Sequence, residues 1–355
     1  MKSLKYLILV ILVQTNFILS QTKVDKIDSL LTNAFRINEF NGVALVSAGG
    51  HVLLHKGYGF YDIERKKKVN VTIPFYIGSL AKQFTSMLIM MLKEQKKIDY
   101  EDSLKKIFPE IPDLLKPITI RQLMTHTSGI PDYYDKIELK PGLSNKDIFN
   151  FITEIDSLDF EPGTKYSYSN TGYVLLALII EKISRVPYRT FIIYNLLARP
   201  QMLGTEVADM EKHKPEIRAF GYKKDGSRDD YNFLTYGAGG IYSTTEDLFI
   251  YDQVLYNQFL IPDSLLNKAF TPAKLKDGST INYGFGWQIK EDENEKIVFH
   301  TGSLNGFRSF FERNLTRKNT IILLTNKTCE RLKEIRDQIV NILEGKEFKY
   351  LEAVK

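Results

Sequence analysis

The sequence predicts an α+β fold in which an antiparallel sheet, built from both chain ends and flanked by helices, carries an inserted, mostly helical lobe. Near the N-terminus two apolar runs flank the turn Ala48-Gly49-Gly50, which is the pattern of a β-hairpin. From residue 79 to about residue 270 the apolar positions recur mostly at helical spacing. Extended apolar segments return after residue 271. The two ends therefore supply the strands, and the middle supplies the helices.

The sheet lobe takes its first elements from about residues 22–78. Helical spacing first appears after residue 21, at Val24, Ile27, Leu31, Ala34 and Phe35. The hairpin follows, with strands expected at residues 43–46 and 52–55.

The helical lobe is expected at about residues 79–270. Its helices are predicted at residues 83–95, 120–126, 145–155, 171–183 and 244–256. The last helix opens with Thr244 and Asp247, an acidic variant of the capping box.

The chain returns to the sheet lobe at about residues 271–350. Here we predict strands at 283–289, 297–299, 307–312 and 320–325, and a closing amphipathic helix at 331–343. These segments predict one domain over residues 21–355, with a cleft between its two lobes.

The first twenty residues have the pattern of an export signal. Lys2 and Lys5 precede an apolar run at residues 6–13, and the small residue Ser20 ends the segment. We expect an exported protein, periplasmic or secreted, with no stable membrane span after cleavage. An uncleaved anchor stays open as the alternative, although the apolar run is shorter than the ~20 residues that a span needs.

Composition narrows the classes of partner. The formal net charge is +5, and removal of the two signal lysines leaves +3, too small and dispersed a charge to predict nucleic-acid binding. Cys329 is the only cysteine of the 355 residues, so no internal disulfide can form. Stability must come from a large apolar core.

Ser79-Leu80-Ala81-Lys82 places a hydroxyl and an ammonium one helical turn apart. The same spacing occurs at Ser20/Lys23 and Ser103/Lys106, so the context has to separate the three. Only Ser79 follows a glycine and precedes a core-facing helix, marked by Phe84, Met87, Leu88, Met91 and Leu92. We interpret Ser79 as a nucleophile and Lys82 as its base, at a helix start that offers free N–H groups to an oxyanion.

Tyr168-Ser169-Asn170 precedes the helix at 171–183 and is the second candidate motif. An ammonium beside Tyr168 would favour the phenolate, which can move a proton during catalysis. Asn170 can orient both the lysine and a substrate carbonyl. The structural alternatives are a tyrosine that only closes the loop and an asparagine that only caps the helix.

His300-Thr301-Gly302-Ser303 follows the short strand at 297–299 and is the third candidate motif. Its glycine lets an edge strand approach a substrate closely, and the Ser303 N–H can donate to an oxyanion. A strand-to-turn sequence with a surface histidine is the alternative. His126 lies in a similar tetrapeptide, but we interpret it as a helix end, with Gly129 at the C′ position.

Together the three motifs resemble the serine β-lactamase and penicillin-binding protein superfamily, in particular the class C-like branch that uses Tyr-x-Asn. The resemblance covers about residues 25–345, and four further stretches agree with it, at residues 123–130, 161–163, 237–244 and 283–287. It implies a β-lactamase/DD-peptidase-like fold.

The resemblance implies Ser79 as nucleophile, Lys82 as activating partner and Tyr168 as general base and then acid. It also implies Asn170 as a substrate-orienting amide, and the N–H groups of Ser79 and Ser303 as the oxyanion hole. His300 departs from the lysine that many β-lactamases carry there. Because imidazole is largely neutral above pH ~6.5, efficient β-lactamase activity is not expected, and we expect His300 to become cationic only at mildly acidic pH.

The leading hypothesis is a serine hydrolase that forms an acyl-enzyme from an ester, an amide or a D-amino-acid peptide, with a small molecule or a cell-wall peptide as partner. The alternative is a catalytically weak protein that binds or senses penicillin or peptidoglycan peptides. No cofactor is expected. A metal-dependent hydrolase is disfavoured, since the five histidines show no metal-ligand spacing.

Overall fold

The computed structural model describes residues 22–208 and 216–353. The predicted export signal at residues 1–20 lies outside the described residues. Within those two ranges, no helix has the length and apolar character needed to cross a bilayer.

Strands occur at both ends of the described chain and sparsely between them. In chain order they are β1 (Gly42–Ala48), β2 (His51–Tyr58), β3 (Phe60–Asp62), β4 (Lys67–Lys68), β5 (Phe75–Tyr76), β6 (Glu206–Val207), β7 (Ile241–Ser243), β8 (Ala273–Lys274), β9 (Thr280–Ile281), β10 (Gln288–Glu291), β11 (Lys296–Leu304), β12 (Phe307–Asn314) and β13 (Asn319–Thr325).

Helices fill the middle of the chain and close its ends. In chain order they are α1 (22–36), α2 (Ala81–Glu94), α3 (Leu104–Ile107), α4 (Ile120–Met124), α5 (Asn145–Thr153), α6 (Asn170–Ser184), α7 (Tyr188–Ile192), α8 (Thr245–Val254), α9 (Asp263–Ala269) and α10 (Leu332–Leu343). Two 3-10 turns, Gly78–Leu80 and Tyr133–Asp135, and a π-helical turn, Ile193–Leu197, add to them.

One six-stranded antiparallel sheet joins the two ends of the chain, in the order β10-β11-β12-β13-β1-β2. The two chain ends meet where β1 pairs with β13, with Gly42 opposite Thr325 and Ser47 opposite Thr320. The predicted fold class, an α+β fold with a sheet built from both ends, is therefore confirmed.

Strand β1 is buried on both faces, which explains its unbroken apolar sequence. Val43 and Leu45 belong to the core shared with the helical lobe, whereas Ala44 and Val46 pack in the core under α1 and α10. Because side chains alternate across a strand, one segment of sheet serves both cores. The sheet therefore lies between two helical layers.

Helix α2 runs through the larger core, and every residue from position 81 to position 92 is buried. Buried helix α6 lies against it. The first turn of α2 faces the edge of β11 through the turn Gly78–Leu80. The boundary between the sheet and the helices therefore holds Ser79.

Two predictions of local structure were wrong. The segment predicted as a strand at 283–289 is extended only from Gln288, because Gly286 has a φ of +79° and bends the chain beneath α2. The middle region is mostly helical, as predicted, although its short strands β6 and β7 join β5 in a small sheet. Thr244 caps α8 by accepting the Asp247 N–H, but the Asp247 carboxylate accepts from Thr205 and does not complete the box.

Candidate active site

Ser79 lies in the middle of the turn Gly78–Leu80, directly before α2. Gly78 has a φ of +56°, and a Cβ on it would come within 2.9 Å of the Ser303 backbone nitrogen. Only glycine allows this backbone conformation and this close approach together. The sequence glycine-serine therefore brings the nucleophile candidate against β11.

Lys82, the second residue of α2, is fully buried one turn after Ser79, and its nitrogen contacts three oxygen atoms. It lies 3.1 Å from Ser79 Oγ, 2.8 Å from Asn170 Oδ1 and 3.0 Å from the Ala238 carbonyl oxygen. Burial lowers the pKa of Lys82 to about 7, and the negative charge of Asp132 opposes this shift only in part. Neutral and charged forms are therefore both accessible near neutral pH.

Two of these three contacts fix how the amine uses its hydrogens. The Ala238 carbonyl can only accept a hydrogen bond, and the amide oxygen of Asn170 can only accept as well. A neutral amine therefore donates its two N–H groups to these atoms and turns its lone pair toward the Ser79 hydroxyl. That arrangement is the geometry of a general base on its nucleophile.

Asp132 orients Asn170, and the sequence motifs did not identify it. Its Oδ2 accepts from the Asn170 backbone N–H and from the Asn170 side-chain Nδ2, each at 2.9 Å. The amide oxygen is thereby left for Lys82, since a flipped amide would set oxygen against carboxylate. Asp132 lies in the loop at 132–144 that follows the His126 segment, and no recognisable pattern marks it in the sequence.

Tyr168 lies beside Lys82, with its ring centre 4.8 Å from the ammonium nitrogen. Burial raises the pKa of Tyr168 well above its ordinary value, although the neighbouring Ser79 hydroxyl opposes the rise. The resting phenolate expected from the sequence is therefore corrected to a neutral phenol. Its hydroxyl is buried and completes no hydrogen bond within the described ranges, so it is available to a reacting group.

His300 lies in the site, but its two nitrogens are already engaged. Nδ1 lies 2.6 Å from the Thr301 carbonyl oxygen, and Nε2 lies 3.0 Å from the Tyr283 hydroxyl. A carbonyl only accepts, so Nδ1 carries the proton and Nε2 accepts from Tyr283. Burial, with a further contribution from Lys82, lowers the pKa of His300 to about 3. The expected switch to a cation at mildly acidic pH was therefore wrong.

Gly302 lets β11 pack against the turn that carries Ser79. A Cβ on Gly302 would come within 2.2 Å of both the Ile77 carbonyl oxygen and Ser309 Oγ, and Ser309 itself donates to that carbonyl at 2.7 Å. Thr301, the preceding residue, is exposed. The strand therefore presents its backbone at Ser303 beside Ser79.

The predicted residues converge on a cleft of about 340 Å³. It is lined by Ser79, Tyr134, Tyr168, Asn170, Gln288, His300, Thr301 and Ser303. Within the described ranges, none of the lining side chains is an aspartate, glutamate, lysine or arginine. A larger cavity of about 520 Å³ lies elsewhere and contains none of the predicted site residues, so we place the chemistry in the smaller cleft.

His126 is the second residue whose place in the site was not anticipated. It is buried, its ring centre lies 4.3 Å from that of Tyr168, and its φ is +58°. Helix α4 ends at Met124 with Thr125 as its C-cap, so the C′ residue is His126 and not the predicted Gly129. Within residues 22–208 and 216–353, no three His, Cys, Asp or Glu side chains are grouped as metal ligands.

Comparison with known proteins places the chain in a family. A profile of the Beta-lactamase family matches residues 29–343. Penicillin-binding protein 4* of Bacillus subtilis (strain 168) is 33% identical over 331 residues, which cover 87% of this chain and 73% of that protein. The match to the family spans the sheet, the helical lobe and the cleft described above.

Two solved structures agree with this assignment. The octameric penicillin-binding protein homologue from Pyrococcus abyssi has a TM-score of 0.80 at 26% identity, over 91% of this chain and 78% of that one. The D-amino acid amidase from Ochrobactrum anthropi SV3 has a TM-score of 0.77 at 22% identity, over 90% of this chain and 99% of that one, and this likeness shows the fold. The chain therefore belongs to the Beta-lactamase family, and it is a serine hydrolase with the fold of that family.

Proposed function

We propose that this protein is an exported hydrolase, periplasmic or secreted, that forms a covalent acyl-enzyme on Ser79. Its substrate is an ester, an amide or a D-amino-acid peptide, and no carboxylate beside the scissile bond is needed for binding. Export rests on the signal pattern at residues 1–20. The acyl-enzyme step rests on the cleft around Ser79.

The contact between Lys82 and Ser79 carries the proposal. The nitrogen lies 3.1 Å from Ser79 Oγ, and two acceptor-only oxygens hold its hydrogens on the other side. A base works best when its pKa is near the operating pH, and the pKa of Lys82 is lowered to about 7. Lys82 is thus the base of the resting site.

Acylation follows from these positions. Ser79 Oγ bonds to the substrate carbonyl carbon, and its proton passes to the Lys82 nitrogen. The bond from that carbon to the leaving oxygen or nitrogen then breaks, and the leaving group takes a proton relayed from Lys82 through the Tyr168 hydroxyl. A water molecule then attacks the acyl carbon, and its proton passes through the Tyr168 hydroxyl to the Lys82 nitrogen. The bond from that carbon to Ser79 Oγ breaks, Lys82 returns the proton to Ser79 Oγ, and the product acid leaves.

The oxyanion of each tetrahedral intermediate is assigned to the backbone N–H groups of Ser79 and Ser303. Support comes from the close packing of the Gly78 turn on β11, which a side chain on Gly78 or on Gly302 would prevent. Such rigid donors stabilise developing negative charge without reorganisation. Asn170, held by Asp132, orients the substrate carbonyl.

The lining of the cleft supports a neutral substrate. His300 is neutral and hydrogen-bonded on both nitrogens, so it offers no charge to a substrate carboxylate. Lys82 is buried beneath Ser79 and already has its oxygen partners. An efficient β-lactamase is therefore not the proposal, because the described residues that line this cleft include no free cation for a β-lactam carboxylate.

The test is incubation with a fluorophosphonate, a β-lactam and a short panel of esters, followed by measurement of the intact mass. We expect a fluorophosphonate adduct on wild type, no adduct on Ser79→Ala, and release of product from at least one ester. Ser103→Ala is the matched control, because Ser103-x-x-Lys106 has the same spacing outside the cleft.

Labelling that persists in Ser79→Ala would place the nucleophile elsewhere and overturn the assignment. An acyl adduct that forms but is never released, with every ester and with the β-lactam, would favour the binding or sensing alternative over a hydrolase.

A further inference from the structure

The segment that follows α4 runs alongside the loop that carries Tyr168. His126 lies at its start with a φ of +58°, which a bulky side chain adopts only where the surrounding structure holds it. Its side chain is 1% exposed. The end of α4 accounts for this backbone conformation, since His126 is its C′ residue and the Thr127 N–H returns to the Gln122 carbonyl oxygen at 2.9 Å. It does not account for the burial of a polar ring.

His126 holds the chain on both sides of Tyr168. Its carbonyl oxygen accepts the Ser167 N–H at 3.0 Å, and its Nδ1 accepts the Ser169 N–H at 3.0 Å. The residues before and after Tyr168 are therefore both bonded to one residue. The imidazole also lies against the Tyr168 ring, with ring centres 4.3 Å apart and planes inclined by 35°.

The second bond requires a neutral imidazole with its proton on Nε2, because a protonated Nδ1 cannot accept. Burial lowers the pKa of His126 well below its ordinary value, and a charge on Lys82 lowers it further. Nε2 is buried and has no hydrogen-bond partner among the described residues. The side chain is thus used at one nitrogen, the one that contacts the Tyr168 loop.

We propose that His126 is a positioning residue, which sets the Tyr168 hydroxyl toward Ser79 and Lys82 by bonding the backbone on both sides of Tyr168. The inference rests on the proposed catalytic role of Tyr168. It gives a role to the segment at residues 126–129, which takes no direct part in the proposed acylation.

Two substitutions separate the acceptor from the ring. In His126→Asn the amide oxygen lies where Nδ1 was and asparagine tolerates a positive φ, so we expect most of kcat to remain. In His126→Phe the ring is kept and the acceptor is lost, and we expect kcat to fall by about 10²-fold with KM little changed. His55→Phe, at a partly buried histidine outside the cleft, is the matched control and should keep wild-type kcat.

Melting temperatures of all variants show whether each one is folded. If His126→Phe does not fold, His126→Ala takes its place, since alanine also lacks the acceptor. Equal losses in the asparagine variant and in the variant without an acceptor would overturn the proposal, as would full kcat in the latter.

A double substitution gives a readout that a merely structural role would not produce. If His126 acts through Tyr168, His126→Phe should slow wild type but not slow Tyr168→Phe any further. Losses that multiply would overturn the positioning role. Full activity in Tyr168→Phe alone would instead overturn the catalytic role proposed for Tyr168, so the two failures are distinguishable.

Discussion

Replacing Lys82 with methionine tests whether the folded site favours the neutral amine. Burial lowers the pKa of Lys82 from 10.5 to about 7. Below pH 7 the folded and unfolded chains both hold the proton, and the folded chain bears the full cost of burying the charge. Between pH 7 and pH 10.5 the folded chain releases that proton while the unfolded chain keeps it. Stability should therefore rise with pH in this window.

The size of the effect follows from the shift. One pKa unit corresponds to ~1.4 kcal/mol, so from pH 6.5 to pH 9 the free energy of unfolding of wild type should rise by about 3 kcal/mol relative to Lys82→Met. The variant also loses its hydrogen bonds to Asn170 and Ala238. Those losses lower the free energy of unfolding by the same amount at every pH, because neither partner titrates in this range.

The assay is urea unfolding of wild type, Lys82→Met and Lys97→Met at a series of pH values between 6.5 and 9. Lys97 is exposed just beyond the end of α2, and its variant should run parallel to wild type. If the curve of Lys82→Met also runs parallel to wild type, the folded site does not lower the pKa of this lysine and it cannot be the neutral base proposed here.

Three further substitutions test other parts of the structure. Gly302→Ala should lower the free energy of unfolding by about 1–3 kcal/mol and slow labelling of Ser79, because its Cβ would lie 2.2 Å from the Ile77 carbonyl oxygen. An unchanged melting temperature and an unchanged labelling rate would contradict this close packing. His300→Lys should not favour a carboxylate substrate over its methyl ester at pH 8, since the new ammonium would be buried; a selective gain for the carboxylate in steady-state kinetics would show that a cation here reaches the cleft. Arg313→Ala leaves Asp252 buried without its ionic partner, so the free energy of unfolding measured by calorimetry should fall by about 3–5 kcal/mol. A fall below ~1 kcal/mol would show that the pair does not stabilise the fold.

The fold was predictable where the pattern is local. Apolar runs on both sides of Gly49-Gly50 located the β1–β2 hairpin, and helical spacing located α2 and α6 to within a few residues. The segment 283–287 misled the prediction because its aromatic residues alternate like those of a strand. They are buried by a bend instead. The bend is at Gly286, which has a positive φ and packs so closely on α2 that a Cβ there would lie 2.8 Å from the Lys82 carbonyl oxygen.

The candidate site was predictable where short motifs carry it. Ser79, Lys82, Tyr168 and Asn170 were found because each lies in a motif at the edge of a helix, and the structure brings all four together. Asp132 was not found. A carboxylate that orients an amide needs no particular spacing along the chain, so only the folded structure shows its two bonds to Asn170.

The roles of the two histidines near Tyr168 follow from their hydrogen bonds and could not be predicted from their spacing in the sequence. His300 was expected to present a charge to substrate, yet its nitrogens are used by Thr301 and Tyr283. His126 was interpreted as a helix end, yet its Nδ1 accepts from the loop that carries Tyr168. Both imidazoles are buried, and a charge on Lys82 makes protonation of either one harder still. We therefore expect an ionisation near pH 7 in the pH profile of kcat/KM to belong to Lys82, whose pKa is lowered by burial to about 7, and to neither histidine.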